Sequence, residues 1–376
     1  AILAQAILAQ GPQAAHRKLH MARLLRKWMQ LMSARPSVLA IVLLGARIVT
    51  TMPASCLDDA IHTRDRVELD GKSMPVGIWA FNWPSGEFAA RVFLTLSSEV
   101  LGYDTLITGS GSSAATGLYA IAGCKEPNNY HTDAQCSDVD AVGSHHLALE
   151  VWDSSISDRL LDLLSTGAKL PERHGSMGYS GFETIYVLEE QRNKAMKSIG
   201  IPLEFYKSHN ASWHDHSRLF ASWQDFKPED LAPCTSTLMV NEMDTAHYLR
   251  FTGDFGGVAP SANGGYVAKC WSRSWWLAPS CRDQPRKCIP VITGGNGWLL
   301  YFIMQAAAQW NMPWAIAVAL DFSTYLTLPR KHKSLVYWWT PDTSFIDMDP
   351  AAIVFPEADE IAWIAGDKAY LMREVE

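Results

Sequence analysis

Hydrophobic and polar positions along the chain predict strands and helices that follow one another from residue 75 onwards. The apolar stretch 76–83 predicts a strand, and Pro84 begins a helix whose apolar positions recur at helical spacing until Gly102. Similar patterns predict further strands at 105–108, 145–152, 184–188, 288–293 and 335–339. They predict further helices at 114–122, 156–164, 298–309 and 314–327. Strands that alternate with helices indicate α/β layers with mostly parallel sheets.

The first 74 residues do not share this pattern. Residues 1–56 combine a basic region with a short apolar stretch at 38–44 and small residues after it, the order of a secretory signal or a membrane anchor. Arg47 interrupts the apolar run well before the about 20 residues of a transmembrane helix. Export is therefore the favoured interpretation, and residues 57–74 are interpreted as a polar linker. The chain does not begin with Met, which predicts a fragment or an over-extended reading frame with Met21 as the candidate start.

The seven cysteines support export, because they show neither a Cys-x-x-Cys pair nor a zinc-binding spacing. Disulfides in an oxidising compartment are the expected use of such cysteines. Cys124 and Cys136 bracket a polar loop, and Cys56 is expected to be the unpaired one. The remaining four lie in or beside an irregular segment at 232–287: Cys234, Cys270, Cys281 and Cys288.

Charge and catalytic motifs exclude several classes of function. A net charge of -7 and a pI of about 6.0 leave no basic footprint for nucleic acid. The chain has no Gly-x-Ser-x-Gly elbow and no evident pair of catalytic carboxylates, so we expect neither an enzyme nor a cofactor. A polar segment contains candidate metal ligands, but we expect it to be a surface loop rather than a metal site: His209, His214, Asp215 and His216. His146 is interpreted as a structural histidine, and Asn210 begins a glycosylation sequon.

Aromatic side chains are the most informative feature of the composition, because the chain contains 15 tryptophans. The face of an indole ring attracts cations, above all quaternary ammonium groups. Most tryptophans are nevertheless expected to be core residues. A Gly-rich turn at 294–297 between a strand and a helix predicts an anion cradle of free backbone N–H groups, better suited to a small carboxylate than to a triphosphate.

Several of these segments occur in a familiar order. They are Gly77-Ile-Trp-Ala-Phe-Asn-Trp-Pro-Ser-Gly-Glu87, Leu101-Gly-Tyr103, Ser137-Asp-Val-Asp-Ala141 with Leu149-Glu-Val-Trp152, Gly294-Gly-Asn-Gly-Trp298 and Trp339-Thr-Pro341. Through them the chain resembles the glycine-betaine/proline-betaine substrate-binding proteins of ABC importers over roughly residues 75–370. That resemblance implies a two-lobed periplasmic-binding-protein-like clamshell.

The resemblance also implies an organisation of the chain into two lobes. Lobe 1 would span 75–180, and lobe 2 would span 181–340 with the cysteine-containing insertion 232–287. Residues 341–376 would return toward lobe 1, which is incomplete where the sequence stops.

The resemblance further implies a ligand site. Trp83, Trp152 and Trp339 would form an aromatic cage around a trimethylammonium group, and backbone N–H groups of Gly297 and Trp298 beside Asn296 would hold a carboxylate. Ser157 stands where some members have a histidine that binds the carboxylate, and would make a weaker contact. Trp338, next to Trp339 on a strand, is expected to face the opposite side and to serve packing.

The expected function is therefore that of an exported solute-binding protein. It would capture a glycine betaine-like osmolyte and deliver it to the membrane permease of an ABC importer. The alternative is a non-transport descendant of the same fold, a surface receptor or a structural assembly subunit. That alternative is motivated by the insertions and by aromatic residues expected to be exposed there: Trp271, Trp275 and Trp276.

Overall fold

The structure is a computed structural model of the chain. It describes residues 55–129, 143–152, 170–179, 181–215, 217–236, 238–239, 242–262, 264–294, 298, 300–342, 348–355 and 373–375. The predicted helix at 156–164 and the signal-like segment before Ser55 lie outside these residues.

Fourteen strands and six α-helices are present in the described residues. The strands are β1 (Val67–Leu69), β2 (Lys72–Met74), β3 (Val76–Phe81), β4 (Thr105–Gly111), β5 (Leu147–Ala148), β6 (Gly181–Leu188), β7 (Val258–Pro260), β8 (Tyr266–Ala268), β9 (Trp276–Leu277), β10 (Ile289–Thr293), β11 (Trp314–Val318), β12 (Leu335–Thr340), β13 (Pro350–Ala352) and β14 (Arg373–Val375). The helices are α1 (Pro84–Thr95), α2 (Ala114–Ile121), α3 (Glu189–Ile199), α4 (Glu242–Thr252), α5 (Leu300–Gln309) and α6 (Phe322–His332). The antiparallel pair β1–β2 falls within 57–74, the segment interpreted as a linker.

The smaller of the two main sheets is parallel, as the alternation of strands and helices predicts. Its order is β4-β3-β5, with β3 in the centre. Ile78 and Ala80 on one face of β3 pack against Ala90 of α1. Trp79 and Phe81 on the other face join the large hydrophobic core that also contains the second sheet. Because side chains alternate along a strand, β3 ties its own helix and the main core together.

The larger sheet is mixed, although its centre is parallel. Its seven strands run in the order β13-β6-β12-β10-β11-β9, with β14 also paired to β6. Strand β10 is parallel to β11 and β12, and the crossovers pass through α5 and α6. The outer strands β6, β9, β13 and β14 are antiparallel, so the expectation of mostly parallel strands is wrong for this sheet. Within 341–376, the described strands β13 and β14 extend this larger sheet.

The prediction of a single helix at 314–327 was wrong, because a continuous apolar run has no periodicity that distinguishes a strand from a helix. The predicted helix at 314–327 is strand β11 followed by helix α6. Every residue of β11 is buried, and a strand buried on both faces reads as a continuous apolar stretch. Helix α6 starts later, where the Asp321 side chain accepts a hydrogen bond from the Thr324 N–H at 2.8 Å.

The predicted strand at 145–152 is also shorter than expected. Only Leu147 and Ala148 pair with β3. Glu150 adopts a φ of 58°, in the left-handed region that interrupts an extended strand. The alternation of apolar and polar residues is real, but the backbone turns before the pattern ends.

The segment 232–287 is held together by two disulfides and a partly buried ion pair. Cys234 bonds to Cys270, and Cys281 bonds to Cys288. The Arg282 guanidinium forms a bidentate pair with the Asp254 carboxylate, with N–O distances of 2.5 and 2.6 Å. Bidentate charge-assisted hydrogen bonds of this kind fix geometry as well as contribute energy.

The three tryptophans of this segment are not the exposed patch that the sequence suggested, although Phe255 and Tyr266 are exposed. Trp275 and Trp276 are 2% and 0% exposed, and Trp271 is half-buried. Arg282 lies between the rings of Trp271 and Trp276, 5.7 and 5.5 Å from their centroids. Cation–π contacts and core packing therefore account for these tryptophans.

Two further observations concern Cys56 and the helices. Cys56 is free, as predicted, and it is exposed. In the parts of the chain that the structure describes, none of the helices combines the length and the apolar character needed to cross a membrane.

We expect the two disulfides to contribute unequally to stability. The Cys234–Cys270 bond spans 36 residues and the Cys281–Cys288 bond spans 7. In the chain-entropy description the longer loop contributes about 4 kcal/mol and the shorter about 2 kcal/mol. Urea unfolding of Cys234→Ala with Cys270→Ala, compared with Cys281→Ala with Cys288→Ala, measures the difference. Equal losses would contradict the loop-length explanation.

Candidate functional site

The predicted cage tryptophans meet where parallel strands of the two main sheets end. Trp83 follows the carboxyl end of β3, and Trp152 follows β5 in the same sheet. Trp339 lies near the carboxyl end of β12 in the larger sheet. The carboxyl ends of parallel strands form the usual ligand-binding edge of α/β sheets. The three residues therefore come together from distant parts of the chain at a favourable place.

The ring of Trp339 stands nearly perpendicular to the rings of Trp83 and Trp152. The ring of Trp339 is 6.4 Å from that of Trp83 and 6.4 Å from that of Trp152, with interplanar angles of 76° and 74°. The exposed fractions of Trp83 and Trp339 are 4% and 5%, whereas Trp152 is half-buried. Behind Trp83, Phe81 stacks at 4.3 Å and holds that wall in place.

Trp298 adds a fourth ring, although the sequence suggested a role for its backbone alone. Its ring lies 5.2 Å from that of Trp339 at 88°. The indole Nε1 donates to the backbone carbonyl of Ser112, at the end of β4, at 2.6 Å. Gly294 lies directly under the ring, since a Cβ there would collide with it. The first glycine of the turn is therefore explained by the close approach of Trp298.

Trp338 is also part of this aromatic group, and the expectation that it points away from Trp339 was wrong. The two rings stack at 5.0 Å with 6° between their planes. Tyr325 stacks on the other side of Trp338 at 4.6 Å and 9°. Strand alternation directs the Cα–Cβ bonds, but the side-chain torsions of a large ring allow it to bend back onto its neighbour. Trp338 is fully buried and supports Trp339 from behind.

A buried carboxylate joins the cage walls. The Oε1 atom of Glu150 accepts hydrogen bonds from Trp83 Nε1 at 3.1 Å, Trp152 Nε1 at 3.3 Å and the Ser85 hydroxyl at 2.7 Å. The indole of Trp339 in turn lies 3.4 Å from the Ser85 oxygen, to which it donates. One carboxylate oxygen therefore orients two walls directly and the third through Ser85.

The second oxygen of Glu150 has no such partners. Oε2 is buried and has no partner in hydrogen-bond geometry among the described residues. Burial is the main influence on the pKa of Glu150 and raises it above 4.5, against the opposing hydrogen bonds from Ser85, the two indoles and the Tyr179 hydroxyl. The Tyr179 hydroxyl lies beside the same carboxyl, and burial together with the Glu150 charge raises the pKa of Tyr179. The side chain of Glu150 is only 6% exposed.

The other predicted ligand residues lie outside the part of the chain that the structure describes. They are Gly297, Asn296 and Ser157, so the carboxylate cradle stays a prediction. Glu150 precedes Trp152 by two residues, but the sequence did not predict a role for it in the site. Its signal is an acidic residue within an otherwise apolar alternating segment.

After its first histidine, the histidine-containing segment is the surface loop that the sequence suggested, with Ser212, Trp213 and Asp215 exposed. His209 is fully buried, its Nε2 lies 2.7 Å from the Leu203 carbonyl, and burial lowers its pKa to about 4. Asp215 forms an ion pair with Lys287. Among the described residues, which leave out His216, there is no group of three or more potential ligands placed to bind a metal ion.

Two other sequence features have structural contacts. His146 Nδ1 accepts a hydrogen bond from the Gly77 N–H at 2.8 Å, which agrees with a structural role. The side-chain nitrogen of Asn210, the sequon residue, donates to the Trp310 carbonyl at 3.1 Å. A glycan would replace one of the two hydrogens of this nitrogen and leave the other to donate.

Comparisons with protein families, with characterised proteins and with solved structures find no match to this chain. The interpretation of the site therefore rests on its own geometry and on the resemblance of the short sequence segments.

We expect Glu150→Gln to change how stability depends on pH. Burial raises the pKa of Glu150 in the folded state, so the folded protein holds this proton more tightly than the unfolded chain. The wild type therefore loses stability as the pH rises from about 4.5 through the folded pKa, and the loss is complete above it. The glutamine of the variant stays neutral, so the variant should gain stability relative to the wild type over that range.

Urea unfolding of both proteins across this pH range measures the effect. Glu87→Gln is the matched control, because the Glu87 side chain is 50% exposed on α1. Parallel pH profiles for wild type and Glu150→Gln would contradict a buried, destabilised carboxylate.

Proposed function

We propose that this chain is an exported solute-binding protein that captures a quaternary-ammonium osmolyte of the glycine-betaine type for an ABC importer. The observation that carries the proposal is the meeting of Trp83, Trp152 and Trp339 at the ends of three strands. These are the residues at which the resemblance to betaine-binding proteins predicts an aromatic cage.

The chemistry of the cage suits such a ligand. A quaternary ammonium group has no N–H to donate, so aromatic faces are the main groups that can recognise its charge. Each desolvated cation–π contact contributes about 0.5–2 kcal/mol. Several faces together with donors for a ligand carboxylate could provide the about 8 kcal/mol that corresponds to micromolar affinity.

The burial of the rings favours a site that opens and closes. With Trp83 and Trp339 only 4% and 5% exposed, a ligand reaches their faces only when the walls separate. Trp83 and Trp152 belong to the smaller sheet, and Trp298 and Trp339 to the larger. We infer that the two sheets mark the lobes at 75–180 and 181–340, and that they move apart to admit the ligand as a clamshell does.

Export and transport are parts of the same proposal. The disulfides suit an oxidising compartment, and an exported binding protein would hand its ligand to a membrane permease. The receptor or assembly-subunit alternative was motivated by exposed aromatic residues in 232–287. Trp275 and Trp276 are buried and no longer support it, although Phe255 and Tyr266 of the same segment are exposed.

We expect Trp339→Ala to weaken binding at least about tenfold, because Trp339 contacts each of the other walls. Trp339→Phe should lose less, because it keeps an aromatic face. Isothermal titration with glycine betaine, proline betaine, choline and dimethylsulfoniopropionate, together with tryptophan fluorescence, measures the affinity. No heat and no fluorescence change with any of these ligands would overturn the proposed function.

Trp338→Ala tests whether the packing of Trp338 behind Trp339 is needed for ligand binding. Because Trp338 is fully buried and stacked on Trp339, its loss should lower stability by about 3–5 kcal/mol and also weaken binding by displacing Trp339. Unfolding and titration of the same sample measure both effects. Unchanged affinity in Trp338→Ala would show that Trp339 does not depend on this support.

A further inference from the structure

The proposed cage contains a charge that a simple aromatic box does not require. Glu150 is 6% exposed behind the indole edges. Oε1 accepts three hydrogen bonds, Oε2 is buried with no donor in hydrogen-bond geometry among the described residues, and the Tyr179 hydroxyl also interacts with the carboxyl. Its backbone also has a φ of 58°, which is rare for residues other than glycine, asparagine and aspartate. A packing role alone does not account for a carboxylate kept in such a place, since a neutral side chain would be less costly to bury.

The described neighbours of Glu150 do not balance this charge. The groups whose interactions bear on its pKa come from each neighbouring element: Trp83 and Ser85 from the start of α1, Trp152 from the segment after β5, and Tyr179 from the segment before β6. Tyr179 is the one titratable group among them, and none of the four is a cation. A bound cation would supply the missing positive charge.

We propose that Glu150 is the counter-charge of the aromatic cage, and that the site therefore prefers a cationic quaternary-ammonium alcohol of the choline type to a zwitterion with its own carboxylate. This inference rests on the proposed capture of a quaternary-ammonium ligand, and it replaces the zwitterion of that proposal with a cation. The Oε2 atom is suited to accept a hydrogen bond from the ligand hydroxyl. A betaine would instead bring a second negative group toward a buried carboxylate.

The same arrangement couples binding to the protonation of Glu150. Burial raises the pKa of Glu150 in the free protein, and a cation beside the carboxylate favours its charged form. Binding therefore expels the proton from molecules in which Glu150 is protonated. Affinity for a cation should rise with pH through the pKa of Glu150 and level off above it.

Three probes separate the contributions of charge, hydroxyl and carboxylate: tetramethylammonium, choline and glycine betaine. In isothermal titrations at about pH 7.5, we expect the wild type to bind choline at least about tenfold more tightly than glycine betaine. Glu150→Gln keeps an acceptor oxygen for Trp83, Trp152 and Ser85 but removes the charge. It should weaken choline and tetramethylammonium about tenfold or more and glycine betaine by less than about threefold. Glu87→Gln removes an exposed charge from the first turn of α1, close in sequence to Ser85. It should leave the affinity for all three probes unchanged.

Proton release gives a second readout that a merely structural role of Glu150 would not produce. Choline titrations at about pH 5 and pH 7.5, each in two buffers with different ionisation heats, measure the protons released on binding. The wild type should release protons at the lower pH and Glu150→Gln should release none. Because the wild-type measurement needs no variant, it decides the question even if Glu150→Gln fails to fold.

The outcomes distinguish the two proposals. Binding of all three probes with no preference for choline and no proton release would overturn the counter-charge role and leave the proposed function standing. Equal weakening of choline and glycine betaine in Glu150→Gln would also overturn it, because the side chain would then act by positioning alone. A wild type that binds none of the probes would overturn the proposed function itself, and this inference with it.

Discussion

The aromatic site depends on keeping the Glu150 carboxylate out of water while its hydrogen bonds are satisfied on one side only. A buried carboxylate needs donors, and here the donors are the indole N–H groups of Trp83 and Trp152 and the hydroxyl of Ser85. Those bonds turn the edges of the rings toward the carboxylate and so fix the directions of their faces. The cage geometry is therefore a consequence of how one charge is solvated by protein groups.

Contacts between the two sheets follow from the same cluster. Trp298, beside the larger sheet, donates to the Ser112 carbonyl at the end of the smaller one, and Trp339 donates to Ser85 at the start of α1. These hydrogen bonds join elements that are far apart in sequence but adjacent at the site. A separation of the two sheets would break both hydrogen bonds. The stack of Tyr325, Trp338 and Trp339 gives the larger-sheet side a rigid backing.

Much of the local structure could be predicted from periodicity, but the relation between elements could not. Pro84, the helical spacing that follows and the glycine at 102 were enough for α1, and the predicted strands at 184–188 and 335–339 lie within β6 and β12. The run at 314–318 failed because a fully buried strand and a buried helix have the same composition. Antiparallel pairing of β6 with β12 depends on long-range contacts that no local pattern contains.

At the site, too, local segments could be predicted from the sequence but the contacts between distant residues could not. The short segments around Trp83, Trp152 and Trp339 pointed to residues that do come together, whereas the stacking of Trp338 and the burial of His209 depend on neighbours from elsewhere in the fold. Glu150 was missed because the importance of an acidic residue in an apolar segment appears only when its surroundings are known.

The left-handed backbone at Glu150 shows what this position costs and what it provides. Glycine or asparagine would adopt a φ of 58° with less strain and would leave no charge to bury. Glycine would, however, leave the indole N–H groups of Trp83 and Trp152 without the acceptor that they share. The chain therefore accepts backbone strain at one residue, and in return two indole rings from different segments have a common hydrogen-bond acceptor.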